Sequence, residues 1–190
     1  DQAMSLWTFS LAYKVTGNGE YRSMSEKILK CLDECFENNG LYVTAFNADT
    51  DHHEGATYLW TREEILSLLG DEDFKRFTEA YEISEKGNFE GKNHLVRKNN
   101  IPLYDLEEKL LEIRKKRSQP SVDHKILSGI NALTAIAMIQ AARFLDKSEP
   151  LNKAENITKK LLEIFWNGQS LAHSFYNGHL QEQSFLSDAG

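Results

Sequence analysis

Two stretches of this chain are apolar almost all the way round, and each is followed by one that is apolar on a single side. From Gln2 to Thr16 the residues Ala3, Met4, Leu6, Trp7, Phe9, Leu11, Ala12, Tyr13 and Val15 leave no polar face. A helix of this kind must be covered on most sides. Gly17-Asn18-Gly19 breaks it. Tyr21 to Glu37 then sets Met24, Ile28, Cys31, Leu32, Cys35 and Phe36 at helical spacing, with Glu26, Lys27, Lys30, Asp33 and Glu34 filling the opposite face. Leu41 to Phe46 reads as a short β stretch. The same order returns with Ile130 to Leu145, apolar nearly all round, then a break at Lys147-Ser148-Glu149-Pro150. The amphipathic run Leu151 to Phe165 and the β-like Leu171 to Phe175 complete it. Ala3 thus matches Ala132, Leu32 matches Leu161 and Phe36 matches Phe165, which is an internal repeat of a helical hairpin.

A buried helix followed by a half-exposed one, repeated, predicts an inner layer and an outer layer. A closed toroid of hairpins and an open solenoid both satisfy that pattern. The repeat spacing of about 129 residues far exceeds solenoid periods of roughly 33 to 47 residues, so the toroid is favoured. The expected fold is all-α with minor short strands: an incomplete α/α toroid of helical hairpins. It is expected as a single domain over 1–190, with an insertion at about 47–125 between the two repeats.

Within the insertion, Tyr58-Leu59-Trp60 reads as a short strand. Thr61-Arg62-Glu63-Glu64 reads as a capping box, with Thr61 as N-cap and Glu64 reaching back, opening a helix that runs to about Leu69. A second short helix is expected over Asp73 to Tyr81, a loop at Gly87 to Asn93, and a further helix over Leu103 to Arg117. The basic run Arg114-Lys115-Lys116-Arg117 falls where cations favour the end of a helix dipole.

The net charge of −7 excludes nucleic acid as the main partner, which needs a basic surface. No apolar run approaches the roughly 20 residues of a membrane span. Cys31 and Cys35, four apart on one helix, are out of easy disulfide range and are expected as buried free thiols. That favours a reducing compartment, the cytoplasm. The sequence opens on Asp1-Gln2-Ala3 without an initiator Met or a basic start, and it is expected to be a piece cut at both ends. Such a cut leaves an apolar side of the first helix uncovered, so self-association of the piece is expected.

The densest polar run is Asp49-Thr50-Asp51-His52-His53-Glu54-Gly55. Carboxylates and imidazoles this close suit general acid–base work, which makes Asp49 and Glu54 candidate catalytic groups. No metal site is expected there, since adjacent histidines without a third ligand at useful spacing fit no tetrahedral template. Glu90, in the glycine-bounded polar loop with Asn88 and Asn93, is a third candidate acid; turn-making is the competing role for that loop. Asp123 is a fourth, clustered with Lys125 and Asn131 before the second all-apolar helix; helix capping or a local ion pair competes there. Asn88, Asn93, Lys125, Asn131 and Trp60 are candidate ligand-binding residues. Trp7, Trp60 and Trp166 each continue an apolar pattern, and core packing is expected of all three.

Ala48-Asp49, then Glu54-Gly55-Ala56-Thr57-Tyr58-Leu59-Trp60-Thr61-Arg62-Glu63-Glu64-Ile65, resembles one signature of the spermatogenesis-associated, thioredoxin-domain-containing proteins. Gly87 to Leu95 resembles a second. Arg117, Pro120, Asp123, Lys125, Leu127 and Asn131-Ala132-Leu133 resemble a third, and Phe185-Leu186-Ser187-Asp188-Ala189 is similar to the start of a following hairpin. In the third motif Ile130 stands where the family has Trp, and His124 where it has a second Asp.

The resemblance implies a longer protein in which a thioredoxin-like domain precedes an α/α toroid. That toroid is similar to N-acylglucosamine 2-epimerases and six-hairpin glycosidases. By that analogy the expected ligand is small and carbohydrate-like, with epimerase-like or glycosidase-like chemistry and no cofactor. A non-catalytic scaffold beside a thioredoxin-like domain is the alternative. The two differ in whether acidic and aromatic side chains converge on one pocket.

Overall fold

The computed structural model describes residues 1–185 and Asp188, and it is mostly helical with short strands. The expected start of a third hairpin at 185–189 therefore lies largely outside the described residues. Contacts divide the chain into two compact units, one of residues 1–45 with 122–190 and one of residues 46–121.

The first unit holds the helices α1 (Gln2–Thr16) and α2 (Gly19–Cys31). Gly17 ends α1 in the left-handed region, at φ 69°. The Asn18 side chain then caps α2 by accepting from the Glu20 amide. A π-helical turn, Leu32–Phe36, extends α2 and leads into the paired strands Glu37–Asn38 and Leu41–Tyr42. The second repeat supplies two further long helices, Ser128–Leu145 and Glu149–Phe165, named α6 and α7 once the helices of the other unit are counted. The first of these packs against both α1 and the second, while α2 packs on α1. Leu6, Ile28, Leu32, Met138, Ala141, Ile157 and Phe165 meet in the core of this unit.

The repeat read from the sequence is present as hydrogen-bond register. Glu37 pairs with Tyr42, and Trp166 pairs with Leu171. The Val43 amide donates to the Phe36 carbonyl at 2.9 Å, and the Ala172 amide donates to the Phe165 carbonyl at 2.9 Å. The second helix of each hairpin thus ends in a tight return of the same shape, at the same spacing of about 129 residues.

Burial follows the expected two-layer pattern in one repeat only. The all-apolar helix of the second repeat buries nine residues against five in its amphipathic partner. In the first repeat α1 buries only Ala3, Leu6 and Ser10. Met4, Leu11 and Val15 lie exposed along it, because α1 packs on α2 and α6 and its remaining side faces solvent. Trp166, expected in the core, is also exposed. No disulfide joins Cys31 and Cys35, and the expectation that both are buried fails: Cys35 is exposed and Cys31 half-buried.

The second unit contains α3 (Arg62–Leu69), α4 (Asp71–Ala80) and α5 (Tyr104–Lys115), which complete the helix series before α6 and α7. Ile65, Leu69, Phe74, Phe77, Leu103, Leu106 and Leu110 form its core. Thr61 caps α3 as expected, its Oγ1 accepting from the Glu64 amide at 3.1 Å. The other half of the capping box is not made. Glu64 turns to Arg117 instead. Tyr58 lies in a turn and Leu59 in neither turn nor strand, and of the three only Trp60 makes a β-bridge, to Asn93. No helix of the described residues is long and apolar enough to cross a membrane.

Candidate functional site

In the second unit the acidic run folds into a tight hairpin. Asp49–Thr50 pairs with His53–Glu54, and the two turn residues Asp51 and His52 take φ of 54° and 65°. Positive φ at both central positions is the geometry of a two-residue hairpin turn. Asp49 and Glu54 are direct cross-strand partners, both in solvent, while Thr50 points inward and its hydroxyl meets that of Thr57 at 2.9 Å. Among the described residues no group of three or more His, Cys, Asp and Glu is placed to hold a metal ion.

The polar loop bonds mainly to its own backbone. The Asn88 side chain accepts the His94 amide at 2.7 Å and donates to the His94 carbonyl at 3.1 Å. Glu90 is exposed at a turn with φ 47°. Gly87 has a structural requirement: a Cβ there would sit 2.3 Å from the Lys92 carbonyl oxygen. Asn93 is buried, and its side chain takes the Ser84 amide and donates to the Ser84 and Trp60 carbonyls. Trp60 is buried beneath Arg117, whose guanidinium carbon lies 3.7 Å from a ring centroid of the indole. Arg117 also donates to the Thr57 and Leu59 carbonyls at 2.9 and 2.8 Å and to Glu64 at 2.6 Å. The basic run at the end of α5 is therefore more than a partner for the helix dipole: its last member organises the family-like segment Thr57 to Glu64.

In the first unit Asp123 and Lys125 are exposed, joined by the Lys125 amide donating to Asp123 Oδ1 at 3.0 Å. Asn131 is fully buried. Its side chain accepts the Tyr42 amide and donates to the Tyr42 and Leu127 carbonyls. Of the expected residues, the structure brings together Asp49 with Glu54 and Trp60 with Asn93. Asn88 and Glu90 share one loop.

A constellation the sequence did not single out lies beside the start of α6. The strand Ile126–Leu127 pairs with Ser174–Tyr176. That pairing carries His173 alongside α6, where the Ser128 amide donates to the His173 carbonyl at 3.0 Å. His173 Nδ1 lies 3.1 Å from both carboxylate oxygens of Asp188. The Asp188 carboxylate also accepts the Phe185 amide at 2.8 Å, and the Phe185 ring stands edge-on to the imidazole at 4.7 Å. The Asp188 side chain is 2% exposed and that of His173 26%. Together they edge a groove of about 400 Å³ walled by Leu127, Gly129, Ile130, Ala132, Leu133 and Ile136. Ile130 is thus a groove wall. The signal in the sequence was slight: one His in a β-like stretch and one Asp in the last resemblance motif, fifteen positions apart.

No family model matches the chain. The chain is similar to spermatogenesis-associated protein 20 of Homo sapiens, 27% identical over 203 aligned positions that cover 85% of this chain and 26% of that protein. The Rattus norvegicus protein of the same name is 25% identical over the same shares. These distant relatives support the resemblance read from the motifs. The chain spans about a quarter of the length of the curated relatives it matches.

Proposed function

We propose that this chain supplies two helical hairpins to an α/α toroid within a longer protein of the spermatogenesis-associated, thioredoxin-domain-containing kind. In this reading the module binds a small carbohydrate-like ligand. The observation that carries the toroid reading is the repeated return after each outer helix, with Glu37–Tyr42 and Trp166–Leu171 in one register. The ligand reading rests on the groove beside α6, whose volume of about 400 Å³ is within the range of small-molecule sites. Asp49 and Glu54, cross-strand neighbours on an exposed hairpin of the other unit, are proposed as an acidic pair open to a ligand of their own.

A non-catalytic scaffold beside a thioredoxin-like domain is favoured by a different observation. Asn88, Asn93, Asp123 and Asn131 all bond to the chain's own backbone. A thermal-shift screen of the full-length protein against neutral sugars and sugar phosphates separates the two readings. The ligand reading expects a saturable rise in Tm that is lost when Ile136→Glu fills the groove. No rise with any sugar leaves the scaffold.

A further inference from the structure

We infer that a pocket within the unit of residues 46–121 binds a small monocarboxylic acid with a compact apolar body, and that Arg114 holds its carboxylate. This pocket shares no residue with the groove beside α6, so the inference stands apart from the carbohydrate reading.

The walls are apolar and fixed. Trp60, Phe77, Tyr81, Leu95, Leu110 and Leu111 line a cavity of about 260 Å³, and Trp60, Phe77 and Leu110 among them are buried. Each aromatic wall has a partner that holds it in place. Trp60 lies beneath the Arg117 guanidinium and bridges to Asn93 through its backbone. Phe77 and Tyr81 stack with their ring centroids 4.5 Å apart, and the Tyr81 hydroxyl donates to Glu107. Rings tied in this way have little freedom to collapse into the space beside them, so the cavity is formed before any ligand arrives. Its volume lies just below the roughly 300 Å³ at which drug-sized sites begin, which suits a body of one ring or one branched chain.

The charges decide the rest. Glu107 and Arg114 also line the cavity, about two turns and 10 Å apart along α5. Glu107 is already matched, by the Arg97 guanidinium and the Tyr81 hydroxyl. Arg114 is not. Its guanidinium lies 5.3 Å from the Tyr58 ring centroid, and among the described residues no carboxylate is within ion-pair distance of it. Its neighbours Lys115 and Arg117 pair with Glu112 and Glu64. The last turn of α5 is a favourable place for a cation, but a helix dipole needs no apolar cavity alongside it. A carboxylate does match the planar fork of a guanidinium, and the bonds between them are charge-assisted. An acid with an apolar body uses both features: the walls take the body out of water and Arg114 takes the charge. A sugar fits poorly, because walls this apolar leave most of its hydroxyls without partners.

The test titrates the full-length protein with 3-phenylpropionate and 4-methylpentanoate by calorimetry and saturation-transfer NMR. Saturable binding is expected with a Kd of about 0.1–1 mM, in keeping with ligands of roughly ten heavy atoms. The amide 3-phenylpropionamide has the same shape without the charge and is expected to bind at least about tenfold more weakly to the unaltered protein. Arg114→Gln is expected to weaken the acid by a similar factor, and Arg114→Lys to fall between it and the parent. Ile136→Glu, in the groove beside α6, is expected to leave the acid's affinity unchanged. No saturable binding of either acid, equal binding of the amide, or undiminished binding in Arg114→Gln overturns the inference. Loss of binding in Ile136→Glu overturns it too, by moving the acid to the other groove. A peptide ending in Phe that binds more tightly than the free acids would give the pocket to a protein C-terminus and overturn the small-acid assignment.

Discussion

Asn131 and Tyr42, 89 positions apart, are joined by a closed pair of hydrogen bonds: the Tyr42 amide donates to Asn131 Oδ1 at 2.7 Å, and Asn131 Nδ2 donates to the Tyr42 carbonyl at 2.9 Å. An Asn side chain can imitate a strand neighbour in this way, presenting one acceptor and one donor to the backbone of a single strand residue. The first turn of α6 is thereby tied to the return after the first hairpin, and both backbone groups of Tyr42 are satisfied inside the core.

Asn131→Ala is expected to destabilise the protein by about 3 kcal/mol, since each buried group left unpaired costs about 1–3 kcal/mol. Asn131→Asp is expected to be no milder, because it keeps the acceptor, loses the donor and buries a charge. Urea unfolding monitored by circular dichroism checks both. A loss under about 1 kcal/mol for Asn131→Ala would show that the Tyr42 backbone finds other partners.

Arg117 offers a second test of a side chain that holds a segment in place. Its fork reaches the Thr57 and Leu59 carbonyls and Glu64 while its plane covers Trp60. Lysine keeps the charge but neither the fork nor the flat face. Arg117→Lys is therefore expected to cost about 2 kcal/mol and to shift the Trp60 emission, by loss of charged hydrogen bonds and of the cation–π contact. Glu64→Gln is expected to cost less than 1 kcal/mol, because that carboxylate is 38% exposed and screened. Equal losses in the two variants would mean that the ion pair, not the backbone contacts, is what matters.

The helices and the repeat were legible in the sequence because each rests on local pattern. Apolar periodicity placed α1, α6 and α7 to within a few residues, and Thr61 announced the start of α3. The roles of Asn93, Asn131 and Arg117 were not legible in the same way. A long-range bond between a side chain and a distant backbone leaves no periodic trace, so Asn131 read as a ligand group and Arg117 as a dipole partner. The excess burial expected for α1 failed for a related reason: composition tells how much apolar surface a helix has, not how many neighbours its unit provides. His173 and Asp188 were missed because neither residue forms a motif alone, and only the strand pairing beside α6 brings them together.

Alkaline stability should carry the mark of Tyr81. Burial, with the hydroxyl donating to Glu107 at 2.8 Å, pushes its phenol from 10.0 up to about 12. The folded value lies above the unfolded one, so this contribution is complete below pH 10 and is lost as pH rises through about 12. Burial pushes Tyr42 in the same direction. Tyr81→Phe is expected to make the fall in stability between these two pH values shallower. It should also remove one late-titrating phenol from the ultraviolet absorbance curve. An unchanged curve would place the Tyr81 hydroxyl in solvent.

The exposed side of α1 has its own consequence. Met4, Leu11 and Val15 are 50%, 43% and 75% exposed and lie seven and four residues apart, which sets them on one helical face. Contiguous apolar surface on a soluble chain is removed from water by association. The 190-residue chain is expected to self-associate through this face in a concentration-dependent manner, with a two-fold dimer as the simplest closed arrangement. Leu11→Lys with Val15→Glu is expected to weaken the association at least tenfold while leaving the circular dichroism unchanged, because both side chains already reach solvent. Sedimentation velocity over a range of concentrations measures it. A chain that stays monomeric at the highest concentration, or a double variant that associates as strongly as the parent, would show that α1 is not the surface involved.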